Sequence, residues 1–221
     1  VAAGTMAADI APGEISVTGQ AVSQVAPSYA LLNLGVSSKN TSVQSAKSQN
    51  DAIMSKLISS LQHLGVSKNN IQTSNITINP NYDYIDGNSK LNGYNVNNTV
   101  VVRIYNTSSI GKAIDAAIAS GASDINSLTF QTDVSQDIED QLSTSAINDA
   151  RHQAEVIASA LGRTVGPVKS ISLGNTHTHT MEVNPRYAML AVKSVEMPTS
   201  TPVENGDMSA NKTANVVFYL Q

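Results

Sequence analysis

A chain of 221 residues is long enough to bury a proper core, as one large domain or two small ones. Charged residues make up only 14% against 41% hydrophobic, and a net charge of −4 leaves no basic footprint for nucleic acid and no cationic face for anionic lipid. The absence of cysteine removes disulfides, thiolate catalysis and zinc-thiolate centres together, and no apolar run approaches the ~20 residues of a membrane span.

Residues 1–12 are small and unpatterned and read as a flexible segment, as expected just downstream of a removed export signal or of a cloning boundary. From Glu14 to Ala21, Ile15, Val17, Gly19 and Ala21 alternate with Ser16, Thr18 and Gln20; from Ser28 to Ser37, Ala30, Leu32, Leu34 and Val36 alternate with Tyr29, Leu31, Asn33 and Gly35. Two strands therefore open the fold, with Ala26 and Pro27 near the turn. Thr41 and Gln44 have the spacing of a capping box, and Ala46, Ile53, Leu57, Leu61 and Leu64 follow as a helical stripe that Gly65 ends.

The stretch from Ile71 to Asn106 reads as two long half-buried strands joined by a polar turn. Ile76, Ile78, Pro80, Tyr82 and Tyr84 share one parity before Asp86, Gly87 and Asn88; Tyr94, Val96, Val100, Val102 and Ile104 share one after them. Ser108 or Ser109 can cap a short helix carrying Ile110, Ile114, Ala117 and Ile118, which Gly121 stops. A strand from Ile125 to Val134 puts Leu128 and Phe130 inward. The longest helix, Ser135 to Leu161, carries Ile138, Leu142, Ala146, Ala150, Ala154, Ile157 and Leu161 on one side. Val165 to Leu173 and Ala214 to Leu220 close the chain as strands around a polar, Met-containing stretch, 174–213, of the length of a working loop.

This order predicts an α+β fold with a mainly antiparallel sheet, helices packed on one face, and two long helices plus one shorter. It also suggests a single domain over 13–221.

Chemistry is harder to find. There is no Gly-x-Ser-x-Gly elbow, phosphate-cradling glycine loop or His-Glu-x-x-His helix, and no cofactor is implied. His177 and His179 point to one side of an extended segment and can both face a metal, with Glu182 the one further ligand nearby in sequence; a solvated pair is the plainer reading. Asp83, Asp86 and Asn88 fit turn chemistry better than a calcium loop, and Asp133, Asp137, Glu139 and Asp140 fit favourable charge at a helix start. Tyr82, Tyr84 and Tyr94 suit cross-strand packing or, if exposed, an interface. Tyr187, Met189 and Leu190, in the apolar patch 187–192, suit an interface as well.

Several short matches run nearly end to end: Gly13 to Gly19, Ala52 to Gly65, Ile71 to Ser74 leading to Pro80 and Tyr82, Gly93 with Tyr94, and Gly121 with Ala122. Asn148 to Arg151 with Ala154, and Thr201 to Gly206, complete the series, with Asn205 where proline is frequent in the corresponding turn. In this order and spacing the chain resembles the SIMPL domain family, of the bacterial periplasmic immunogenic protein type. The resemblance implies an exported, non-enzymatic α+β protein of a family linked to cell-envelope and oxidative-stress phenotypes, some members of which form ring-like oligomers. It supplies no catalytic residues. The expectation is a periplasmic or secreted homo-oligomer, with an envelope protein as a further candidate partner and a protective or scaffolding role; the alternative is a ligand- or metal-binding module that uses the 174–213 loop.

Overall fold

The protein is described by a computed structural model over residues 13–179, 181–183, 200–204 and 206–221. Its elements in chain order are β1 (Glu14–Val25), β2 (Tyr29–Asn40), α1 (Val43–His63), β3 (Ile71–Ile85), β4 (Asn88–Ile104), α2 (Ile110–Ser120), β5 (Asp124–Gln131), α3 (Gln136–Ala160), β6 (Val165–Leu173), β7 (His177–Thr178), β8 (Met181–Val183) and β9 (Met208–Leu220). Every strand pairing among the described residues is antiparallel, and the fold is α+β. The strands divide between two sheets, and the described residues divide into two compact units, one of 13–25, 134–179 and 208–221, the other of 26–133 with the described part of 180–207. The final strand begins at Met208, ahead of the alternation visible from Ala214, and β7 and β8 also fall within 174–213.

Helix ends follow the local chemistry. Ser42, rather than Thr41, caps α1: its hydroxyl accepts the Ser45 N–H at 3.1 Å, while Thr41 turns its own N–H to the Asn40 side chain at 2.8 Å. Ser135 caps α3, and Asp137 and Glu139 place negative charge in its first turn. Ser109 occupies the N-cap of α2, but its hydroxyl donates to the Asn106 carbonyl instead. Gly65, Gly121 and Gly162 follow the three helices in the left-handed conformation.

In the first unit the sheet runs β1-β9-β6, with β7 also on β9. Ile15 lies opposite Phe218, Val17 opposite Val216 and Gly19 opposite Ala214, all on the face that α3 covers with Ala146, Ala150 and Ala154. The contact is unusually close, because a Cβ at Gly19 would lie 2.0 Å from the Ala146 carbonyl oxygen. Small residues on both sides let the helix backbone settle onto the strand.

In the second unit the sheet runs β3-β4-β2-β5-β8. Leu32, Leu34 and Val36 of β2, Val100 and Val102 of β4, and Leu128 and Phe130 of β5 form the core with Leu57 and Leu61 of α1. A bulge opposite Asn33 and Leu34 inserts Asn126 as one extra residue, which keeps Ile125 on the same buried face as Leu128 and Phe130. Asn50, fully buried in α1, donates to the Val36 carbonyl at 2.9 Å and the Val96 carbonyl at 3.1 Å, tying the helix to two strands.

Candidate functional site

The expectation that β3 is half-buried fails. It is the edge of its sheet, and all but three of its residues, Ile71, Thr77 and Asn81, are exposed. Bulges near Ser74 and Asn81 break its strict alternation, so the tyrosine parity does not map onto one face. β2 pairs with β4 only as far as Tyr94, so, among the described residues, 88–91 of β4 pair with β3 alone and the hairpin continues as a two-stranded ribbon. The chain leaves the three-stranded region at Gly93, whose φ is +102° and whose missing Cβ would lie 2.5 Å from the Asn40 carbonyl. Asp86 and Gly87, both with positive φ, close the tip, and Asn92 donates to the Asp83 carboxylate across the ribbon.

β3 and the ribbon together expose apolar side chains that a solvated hairpin has no use for. Ile76 is 59% exposed and Tyr84 82%, with Ile78, Tyr82, Ile85 and Leu91 also at the surface. The structure does not gather Tyr82, Tyr84 and Tyr94 into a cluster: Tyr82 lies opposite Leu91, Tyr84 opposite Ser89 and Tyr94 opposite Pro80. Tyr187, Met189 and Leu190 lie outside the described residues, as does Asn205.

The sheet edges are treated unequally. On β1 two of the free backbone groups, midway along the strand, are taken by α3: the Asp149 carboxylate accepts the Gln20 N–H at 2.8 Å, and Gln153 donates to the Thr18 carbonyl at 3.1 Å. β6 carries Pro167, Lys169 and two register shifts, and β8 is three residues long. Proline, lysine, shortness and bulges are the usual means of blunting an edge. β3, fifteen residues long, carries bulges and Pro80, but no described side chain covers its outer edge.

His177 and His179 sit at β7, both exposed. His177 pairs with Asn211, and the Asn211 side-chain amide lies 3.4 Å from His179 Nδ1. Among the described residues no group of three or more His, Cys, Asp or Glu side chains is placed to hold a metal ion. Glu139 proves to be more than helix-start charge, since it accepts Lys212 Nζ at 2.7 Å and the Thr176 hydroxyl at 2.6 Å. The hydrogen bond from Lys212, and then that from Thr176, hold its carboxyl below the usual glutamate range. Sequence reasoning also missed Arg103, whose guanidinium lies 4.4 Å from the Tyr29 ring centroid and donates to the Tyr105 hydroxyl, which raises its pKa. The alternation of β4 marked its face but not its neighbours.

A sequence profile of the SIMPL family, described as "Protein of unknown function (DUF541)", matches residues 15–218. The chain belongs to the SIMPL family. Among curated SIMPL relatives, it is 26% identical over 215 residues to the 26 kDa periplasmic immunogenic protein of Brucella melitensis, covering 95% of this chain and 86% of that protein. It is 27% identical over 207 residues to the uncharacterized protein YggE of Escherichia coli K12, covering 94% and 83%. With the YggE of Edwardsiella ictaluri the identity is 29% over 224 residues, covering 100% and 92%. No described helix of this SIMPL chain is long and apolar enough to cross a membrane.

Proposed function

We propose that this SIMPL chain is an exported, non-enzymatic envelope protein that assembles with copies of itself along β3, in a scaffolding or protective role against envelope or oxidative stress. The observation that carries the reading is the contrast between edges: β1 has its middle, at Thr18 and Gln20, bonded by α3 side chains, whereas β3 is left with an open backbone edge beside exposed Ile76, Ile78 and Tyr84. A second copy is the occupant that fits. The ribbon carries both charge signs, Asp83, Asp86 and Lys90, and its alternation of Thr, Asn and Ile is complementary to itself in an antiparallel pairing. The name of the Brucella relative supports the periplasm as the compartment.

Because the chain has no cysteine, Tyr84→Cys creates a single thiol at the ribbon. Oxidation of that variant yields a covalent dimer, while Glu155→Cys, on the exposed face of α3, stays monomeric under the same conditions. Equal crosslinking of the two variants would sink the proposal. A second reading, a metal-binding module, is favoured by His177 and His179, both exposed and two residues apart at β7. It predicts saturable zinc binding that His177→Ala and His179→Ala each abolish; binding unchanged in both variants would exclude it.

A further inference from the structure

On the helix-free face of the second unit's sheet, β2, β4 and β5 form a half-open cavity of about 210 Å³ lined by Ser37, Asn97, Thr99, Asp124 and Asn126, with Gly35 among them. The register explains how it arises. Thr99, Gly35 and Asp124 stand in one row across three strands, and Asn97 and Ser37 stand in the next. Gly35 is therefore the missing side chain in an otherwise filled row. The bulge that inserts Asn126 brings a further amide to the rim, held by its hydrogen bond to Asn33 Oδ1 at 3.1 Å.

We propose that this cavity binds one ring of a neutral polyol, a pyranose being the size class. The lining is rich in uncommitted polar groups: among the described residues, the side chains of Ser37, Asn97, Thr99 and Asp124 form no hydrogen bond or ion pair within the protein. Adjacent sugar hydroxyls donate to the Asp124 carboxylate and accept from the amides of Asn97 and Asn126, while Ser37 and Thr99 act in either sense.

The chemistry disfavours the other ligand classes. A hard divalent cation needs several anionic or carbonyl oxygens, and Asp124 is the one carboxylate in the lining. An anion would meet Asp124 without a facing cation, and an apolar ligand would strand the polar groups. The volume is also below the roughly 300 Å³ at which drug-sized pockets begin, so a single ring fills it. No aromatic side chain lines the cavity to stack on the sugar, so binding to one ring is weak, in the millimolar range.

The test is an amide NMR titration of the full-length chain with D-glucose and with N-acetylglucosamine, using sodium acetate and calcium chloride as controls. The expected result is saturable shifts confined to Gly35, Ser37, Asn97, Thr99, Asp124 and Asn126 with a sugar, and none with the salts. Asp124→Asn, an exposed and isosteric change, weakens binding about tenfold by removing charge-assisted hydrogen bonds. Gly35→Ala fills the floor and abolishes binding; its Cβ would sit 3.3 Å from that of Asp124, a contact the exposed aspartate can relieve without unfolding. Shifts that never saturate, that survive both substitutions in variants with unchanged melting, or that appear with calcium in place of sugar overturn the proposal.

Discussion

Replacing Gly19 by alanine puts a methyl group where the backbone of α3 already lies. The new Cβ would stand 2.0 Å from the Ala146 carbonyl oxygen, 2.5 Å from the Ala150 nitrogen and 2.8 Å from the Ala150 Cβ. Overpacking a core costs about 1–3 kcal/mol when side chains can rotate away. Two of these three contacts are with helix backbone, which cannot, so the expected loss is at the upper end, about 3 kcal/mol. For a chain of this size that corresponds to a fall in Tm of about 6–12 °C. Urea unfolding followed by circular dichroism measures it directly. Adding Ala150→Gly removes only the methyl contact and leaves the carbonyl collision, so the double variant should recover little. A loss below about 0.5 kcal/mol, the range of an inert surface change, would refute the close helix-on-strand packing.

Other consequences follow from named contacts. The folded-state pKa of Glu139 is depressed by Lys212 and Thr176, so its stabilisation is complete above the glutamate range of the unfolded chain and is lost as the pH falls through the lower folded value. Glu139→Gln is therefore less stable than the parent at neutral pH, and unfolding curves should converge on acidification; a gap independent of pH contradicts the pairing. Asn50→Ala should cost about 1–3 kcal/mol by removing both bonds to the strands and leaving a void. Asn50→Leu should cost less, since its side chain refills the void while both changes remove the buried, unpartnered Oδ1, and paired denaturation curves decide the order. The double change Asp149→Ala and Gln153→Ala uncovers the β1 edge, which should raise concentration-dependent light scattering.

Much of the fold was legible because its signals are local. Alternation located β1, β2 and β4, and helical spacing together with the terminal glycines located all three helices. What stayed hidden depends on partners distant in sequence. The alanines of α3 share one side of the helix in the sequence, but nothing in β1 said that Gly19 would receive them. Asn50 interrupts an apolar stripe and reads as a defect until Val36 and Val96 supply its acceptors. For the candidate site the loss was greater. The period-two pattern of β3 implied a buried face, yet alternation records only which side chains share a face, not whether anything covers it. The cavity at Gly35 requires a bulge and three strands in register, none of which a single segment reveals.

The central claim, assembly along β3, is tested most directly by absolute mass in solution, measured by light scattering coupled to size exclusion, for the parent chain and for the double variant Ile76→Lys and Tyr84→Ser. Both side chains are exposed, so the variant should fold with unchanged melting. The account predicts a defined oligomer for the parent at micromolar concentration and a monomer for the variant. A monomeric parent, or an oligomer untouched by the two substitutions, would contradict it.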